Sequence, residues 1–371
     1  MKDIYCSMIH GGLSLNYKGQ HITAQHCCMR TSRFPIDITT NFWDNNKFIP
    51  LREKNKNNIW DLGCSNCQRL ENSGHISMRQ GMNNGLQIQG NTDLVGPVRI
   101  DLMFDISCNL ACRTCGAHSS TFWQKHLKEH NLWPRPIGSP RSHNEVIDSL
   151  TQLDLSNLRQ VVFCGGETLM GQSYWEVADW LADNVPNAKQ QLFVNFQTNG
   201  TQPILDKNYK IIEKLHGVKM HISLDGTRER FEYLRWPATW NQVTDNILQI
   251  KQTAPSNVMF LVEETISIFN LWYTNELSQW TEQNFIHNRE GDVVNHTKHL
   301  AHGIFSLDAC SQEYVSAMQQ KSDQNLIPRT WKENPSKIQS MIENIKQFDQ
   351  FRSQSFAKTF SEVAEFYARY L

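Results

Sequence analysis

The chain has 371 residues, enough for one large α/β domain of roughly 250 residues beside a smaller unit of roughly 100. Hydrophobic residues make up 39% and charged residues 20%, a balance that buries a core and excludes intrinsic disorder. Lysine and arginine number 36 against 37 acidic residues, a net charge of -1, so no summed field draws nucleic acid or an acidic membrane, and neither is expected as a partner.

Met1 to Leu13 lacks the apolar run of roughly 7–15 residues of an export signal, and no window reaches the roughly 18 apolar residues of a membrane span. A cytoplasmic location is expected. In a reducing compartment ten cysteines, eight of them between residues 6 and 115, point to metal or to chemistry rather than to disulfides.

In chain order, residues 1–95 are rich in asparagine, glycine and cysteine and read as a small metal-supported module. Leu13–Tyr17 and Gln20–Cys28 flank Lys18-Gly19 as a β-hairpin, and 41–60 reads as polar and irregular. The turn residues from Gln80 to Gly85, then Gly90, Gly96 and Pro97, read as a connector, with a boundary near residue 95. From residue 98 short apolar strands alternate with helical stretches. Strands are expected at Val98–Asp105, Gln160–Cys164, Gln191–Gln197, Lys219–Leu224, Val258–Ile266 and His302–Leu307. Helices are expected at Glu145–Leu153, Tyr174–Asp183, Ile204–Leu215, Trp240–Lys251 and Leu271–Gln283. About six such units imply an α/β fold with a parallel sheet, a partial (β/α)6 TIM-like barrel over 96–310, whose working groups sit beyond the strand C-termini. Residues 311–371 read as a helical extension, with Ile338, Met341, Ile342, Ile345 and Phe348 forming a packing stripe.

Directly after the first barrel strand comes Cys108-Asn-Leu-Ala-Cys112-Arg-Thr-Cys115, a C-x3-C-x2-C loop. A four-iron cluster takes four thiolates, so three from one loop leave an iron open for another ligand. The alternative is zinc, which favours four ligands, commonly in two pairs.

Later strand ends carry Phe163-Cys164-Gly165-Gly166-Glu167, Gln197-Thr198-Asn199-Gly200 and Ser223-Leu224-Asp225-Gly226, followed by Arg235. With the cysteine loop these resemble, in order, the motifs of the radical SAM superfamily, which uses a [4Fe-4S] cluster and S-adenosylmethionine (SAM) to start radical reactions. The resemblance implies that Cys108, Cys112 and Cys115 hold the cluster. It implies that Gly165, Gly166, Glu167, Asn199, Ser223, Asp225 and Arg235 hold SAM: the glycines by close backbone approach, Glu167 on the ammonium, Ser223 and Arg235 on the carboxylate. Thr114 departs from the aromatic residue many relatives carry before the third cysteine. No catalytic side chain is assigned.

Cys6, Cys27, Cys28, Cys64 and Cys67 remain in the N-terminal module. Neighbouring strand residues face opposite ways, so one of Cys27 and Cys28 joins the set with Cys6, Cys64 and Cys67. The arrangement resembles the twitch domain, a shortened SPASM domain, here preceding the barrel; the resemblance implies an auxiliary [4Fe-4S] cluster on Cys6, Cys27, Cys64 and Cys67. Zinc, drawing on His21 or His26, and unligated thiols are the alternatives. Glu71 to Arg79 resembles the sequence after the family's last cysteine pair. Cys164 and Cys310 are expected to be packed thiols.

The resemblance implies reductive cleavage of SAM to a 5'-deoxyadenosyl radical that takes hydrogen from a substrate, with a reductase, flavodoxin or ferredoxin as donor. Twitch and SPASM relatives modify peptides or oxidise small molecules such as sugars and nucleotides, and a peptide or protein is the expected substrate. Trp123, Trp133, Trp175 and Trp236 are candidates for a substrate groove or for core. A non-catalytic, metal-supported binding protein is the reading from another class.

Overall fold

The computed structural model describes residues 4–17, 21–72, 74, 76–86, 88, 92–132, 141–285, 296–321 and 331–371. The expected Lys18-Gly19 turn, Gly90 and Trp133 lie outside them.

Among the described residues nine strands form one sheet: β1 (Gly12–Asn16), β2 (Thr23–Gln25), β3 (Phe34–Pro35), β4 (Arg99–Met103), β5 (Gln160–Cys164), β6 (Phe193–Thr198), β7 (Gly217–Ser223), β8 (Val258–Ile266) and β9 (His296–Leu300). Their order is β3-β2-β1-β4-β5-β6-β7-β8-β9, an open sheet with β3 and β9 at its edges. From β4 to β9 each strand pairs in parallel with the next. Parallel neighbours need long crossovers. Helices His143–Leu150, Gln172–Asn184, Asp206–Lys214, Trp240–Thr253 and Thr274–Phe285 lie in those connections.

Side-chain alternation divides the sheet into two faces. One row, Val161, Phe163, Val194, Phe196, Val218, Met220, Ile222 and Val262, is buried with apolar residues of the crossover helices, such as Val177, Leu181, Ile212, Val243 and Ile247. Each such burial is worth about 1.5–3 kcal/mol. The opposite face is polar: Arg99, Asp101, Gln160, Asn195, Gln197, Lys219, His221, Ser223 and Glu263 lie on it by register. A polar concave face beside an apolar helix layer is what turns this sheet into a site rather than a filled core.

The hairpin is shorter than expected, and its strand β1 pairs in parallel with β4 from Gly12↔Arg99 to Asn16↔Met103. The sheet is therefore continuous across residue 95. Cys27 and Cys28 follow β2 rather than ending it. Two helices occupy stretches expected to be irregular. Ile49–Lys56 lies within 41–60, and Met78–Gly85 replaces the expected connector at Gln80–Gly85. Ser77 explains the second: its hydroxyl accepts from Gln80 N while Gln80 reaches back to Ser77 N, a capping box that outweighs two glycines. The last barrel strand is His296–Leu300, not His302–Leu307, where Gly303 has φ +76° and two short 3-10 turns follow.

The C-terminal helix Pro335–Arg352 starts at an Asn334 cap with Pro335 in its first turn. It buries Ile338, Met341, Ile342, Ile345 and Phe348, the stripe read from sequence. No helix among the described residues is long and apolar enough to cross a membrane.

Candidate active site

The C-x3-C-x2-C loop leaves the end of β4 and is fixed on both flanks by backbone bonds. On one flank Gly166 N donates to Asp105 O (3.1 Å) and Glu167 N to Ser107 O (2.8 Å). On the other, Ala111 N donates to Trp236 O (2.8 Å) and Arg113 N to Leu234 O (2.7 Å). The first clamp explains the glycine pair. A Cβ on Gly165 would stand 2.2 Å from Asp105 O, and one on Gly166 would stand 2.1 Å from Ser107 O. Gly165 also has φ +146°, open to glycine and strained for other residues. The close approach expected toward a ligand is in this structure an approach of backbone to backbone that seats the cysteine loop.

Glu167 is buried at the end of β5. Its Oε1 accepts from Leu169 N (2.9 Å) and Thr198 Oγ1 (2.7 Å), and its Oε2 from Asn199 N (2.6 Å). Burial raises its pKa, and those three bonds oppose the rise. Oε2 keeps capacity for one more donor, as an ammonium would supply. Asn199 Nδ2 lies 3.0 Å from Asn109 Oδ1 and 3.8 Å from Cys108 Sγ, so the β6 end is tied to the loop.

At the β7 end Ser223 is half-buried, and no side-chain bond is recorded for it among the described residues. Asp225 is fully buried; its Oδ1 accepts from Thr265 N (2.9 Å), and its Oδ2 lies 2.9 Å from Arg235 Nη2. Asp225 Oδ2 and Arg235 Nε nevertheless lack a well-formed hydrogen bond. Burial disfavours the Arg235 charge, but Asp225 more than restores it, and Cys112 and Cys115 act in the same direction. The structure thus brings Gly165, Gly166, Glu167, Asn199, Asp225 and Arg235 around Cys108, Cys112 and Cys115, with Arg235 already engaged by Asp225 and Ser223 at the end of β7.

The donor chemistry fits the implied group. Three thiols stand on one loop, burial raises Cys108 to about 11 and raises Cys112 further, and Cys108 feels Cys115 while Cys112 feels both other cysteines. Such thiols ionise readily only against a cation, which bound iron supplies. The unsatisfied Arg235 Nε and Asp225 Oδ2, with the open Ser223 hydroxyl, offer donors and acceptors suited to a zwitterion. Among the described residues no three His, Cys, Asp or Glu side chains gather tightly enough for a single metal ion; a cluster spreads its ligands more widely.

In the N-terminal region Cys6, Cys27, Cys64 and Cys67 line one pocket with Met8, Ile9 and Trp60, while Cys28 is not among its walls. Met29 N approaches Cys27 Sγ (3.5 Å) and Arg30 Nη1 approaches Cys64 Sγ (4.0 Å), donors that favour thiolates. Burial raises Cys6 to about 12. His26 also lines the pocket, with Nε2 unpartnered, whereas His21 does not. Cys28 is exposed; its thiol bonds to that of Cys27, which lowers its pKa, and it also feels the charges of Asp101 and Arg99. Cys310 is buried among the C-terminal helices. Trp175 stacks on Phe196 in the core, at 4.5 Å.

Sequence reading missed a second polar group on the concave face. Asn195 Nδ2 lies 3.0 Å from His221 Nε2, and His221 Nδ1 lies 2.6 Å from Glu263 Oε1, with His299 Nε2 at 3.8 Å from the same oxygen. Period-2 alternation on β6, β7 and β8 was the available signal: polar residues faced each other diagonally across neighbouring strands.

Residues 106–267 match the family model described as Radical SAM superfamily. No curated protein matches the sequence. Among solved structures the chain is similar to native anSMEcpe with bound AdoMet, at 16% identity and TM-score 0.42 over 69% of this chain and 62% of that one. It is also similar to Streptococcus suis SuiB bound to S-adenosylmethionine, at 10% identity and TM-score 0.37 over 96% and 70%. SuiB bound to its precursor peptide SuiA gives 10% and 0.37 over 97% and 75%. These likenesses are too distant to carry an argument, and the chain spans 62% of the length of the first. The family match spans less than half of the chain and contains the cysteine loop, the Gly-Gly-Glu turn and all the strand-end groups above.

Proposed function

We propose that the chain is a cytoplasmic radical SAM enzyme whose substrate is a peptide or protein. The observation that carries the enzyme reading is the convergence of four strand ends of a radical SAM domain on one three-cysteine loop. Cys108, Cys112 and Cys115 would hold a [4Fe-4S] cluster with one iron left for SAM. When bound and reduced, that cluster supplies the electron that splits SAM into methionine and a 5'-deoxyadenosyl radical able to take hydrogen from a substrate.

The chain's own residues bind and orient. Glu167 would offer Oε2 to the SAM ammonium and Ser223 and Arg235 would take its carboxylate, while Asp225 keeps Arg235 charged and in place. Asn199 couples the β6 end to the cluster loop. Glu263, held by His221, offers a polar anchor to a substrate on the concave face.

The peptide reading rests on the likeness of the N-terminal cysteine module to a twitch domain, supported by four thiols lining one pocket. On this reading Cys6, Cys27, Cys64 and Cys67 hold an auxiliary [4Fe-4S] cluster that serves electron transfer, and a flavodoxin or ferredoxin supplies electrons. A structural zinc is the alternative occupant, with His26 on the pocket wall, although among the described residues no three such side chains gather tightly enough for a single metal ion. Oxidation of a small molecule is the alternative activity.

Iron, sulfide and zinc per chain on anaerobically purified, reconstituted protein separate these. About eight irons falling to about four in the Cys108→Ala/Cys112→Ala/Cys115→Ala variant is expected. About four irons with one zinc would make the N-terminal site structural, and no iron would overturn the enzyme reading.

A further inference from the structure

The face of the cysteine loop turned away from the sheet is covered by the Pro335–Arg352 helix, and a guanidinium is buried there without an anion of its own. Arg352 is 7% exposed, and neither Nη1 nor Nη2 has a hydrogen-bond partner. Its guanidinium lies over Trp123 at 4.8 Å, Trp236 at 4.9 Å and Phe348 at 5.1 Å. Two of those residues are bonded to the loop itself: the Trp123 ring donates through Nε1 to Cys112 O (2.9 Å), and the Trp236 backbone carbonyl accepts from Ala111 N (2.8 Å).

The surrounding charges do not cancel. Arg113, between Cys112 and Cys115, is also buried, and its Nη2 meets Asp349 Oδ1 at 2.5 Å. Asp349 is shared further with Tyr233 OH (2.7 Å) and Phe356 N (2.6 Å). Arg352 Nε donates to His126 Nε2 (3.3 Å), and burial together with Arg352 holds that imidazole down at about 4, so it is neutral. Burial and Arg113 lower Arg352 itself to about 9, which leaves it protonated at neutral pH. Two arginines and one carboxylate make a net positive charge, buried against Cys112 in an apolar cage. An uncompensated buried charge is costly unless a partner of opposite sign is bound.

We propose that Arg352 is the countercharge for an anionic iron–sulfur cluster on Cys108, Cys112 and Cys115, and that it sets how readily that cluster accepts an electron. The inference rests on the radical SAM reading above. Three thiolates make the oxidised cluster anionic, and reduction by one electron adds a further negative charge. A fixed positive charge beside it therefore favours the reduced form. The electron comes from dithionite in the test and from a one-electron donor protein in the cell. Arg352 acts through the cluster and has no contact with substrate to make.

The test is the midpoint potential of the reconstituted full-length protein, read from the EPR signal that is absent in the Cys108→Ala/Cys112→Ala/Cys115→Ala variant. Arg352→Gln is expected to shift the oxidised-to-reduced ratio about tenfold toward the oxidised form, a fall of about 59 mV for one electron. Arg352→Lys is expected to stay close to the parent, and Asp349→Asn, which removes the neighbouring anion, to move the potential the other way. An unchanged potential in Arg352→Gln with an intact signal overturns the inference while leaving the enzyme reading standing. A fall in Arg352→Lys as large as in Arg352→Gln also overturns it, because shape rather than charge would then be at work. If Arg352→Gln does not fold, an Asp349→Asn potential equal to the parent's overturns it alone. Absence of any loop-dependent signal in the parent removes the enzyme reading and this inference together.

Discussion

Single residues do two kinds of work around the loop. Gly165 and Gly166 give the 105–107 backbone room, so Gly165→Ala or Gly166→Ala forces a Cβ to within 2.2 or 2.1 Å of a carbonyl oxygen. Each is expected to cost on the order of 2–4 kcal/mol in urea unfolding and to lower iron retention at the loop. Glu263 is electrostatic. Burial alone would raise its pKa from 4.5, but the hydrogen bond with His221 and the nearby His299 hold the carboxyl down at about 2. A carboxylate depressed in the folded state adds stability above its unfolded pKa and loses it as pH falls through the folded one. The parent should therefore lose stability on acidification between about pH 4.5 and 2 more steeply than Glu263→Gln, with a gap on the order of 3 kcal/mol at pH 6 that closes toward pH 2. Equal acid-denaturation profiles would contradict this. The thiols and strand-end groups could be read from sequence because chemistry requires those residue types in tight spacing. His221 and Glu263 left only the weaker signal of strand alternation, and Arg352 left none, because its partner lies 226 positions away on another element.

Among the elements, the barrel strands were legible where apolar runs were long. Gln160–Cys164 and Val258–Ile266 match their expected bounds. Local signals failed where a cap or a loop end decides the outcome, as at the Ser77-capped helix and the His296–Leu300 strand. The stripe on the Pro335–Arg352 helix showed that the helix packs, but not what it covers. Phe348 meets Trp123 edge-on at 5.1 Å and lines the Arg352 cage. Phe348→Ala is expected to cost about 3–5 kcal/mol in chemical denaturation. It should also loosen the cysteine loop, read as faster iron loss to a chelator; Ile345→Val, on the same helix but outside the Arg352 cage, should cost only about 0.5–1.5 kcal/mol and leave iron retention unchanged.

For the whole molecule, the open sheet places two cysteine sites on one continuous scaffold. β1 adds in parallel to β4, so the region carrying Cys6, Cys27, Cys64 and Cys67 joins the barrel through backbone hydrogen bonds. Composition and texture suggest a module separate from the barrel: the strand at Leu13–Tyr17 is readable, but nothing local announces that it pairs in parallel with β4. The polar face of the sheet carries Cys164, which feels Asp101, Cys28, Arg99 and Glu263.

The central claim is that this scaffold cleaves SAM by one-electron reduction. The most direct measurement is 5'-deoxyadenosine formed from SAM by the anaerobically reconstituted protein under dithionite. The account predicts 5'-deoxyadenosine from the parent and none from the Cys108→Ala/Cys112→Ala/Cys115→Ala variant. A parent that retains iron at that loop and yields no 5'-deoxyadenosine would contradict it.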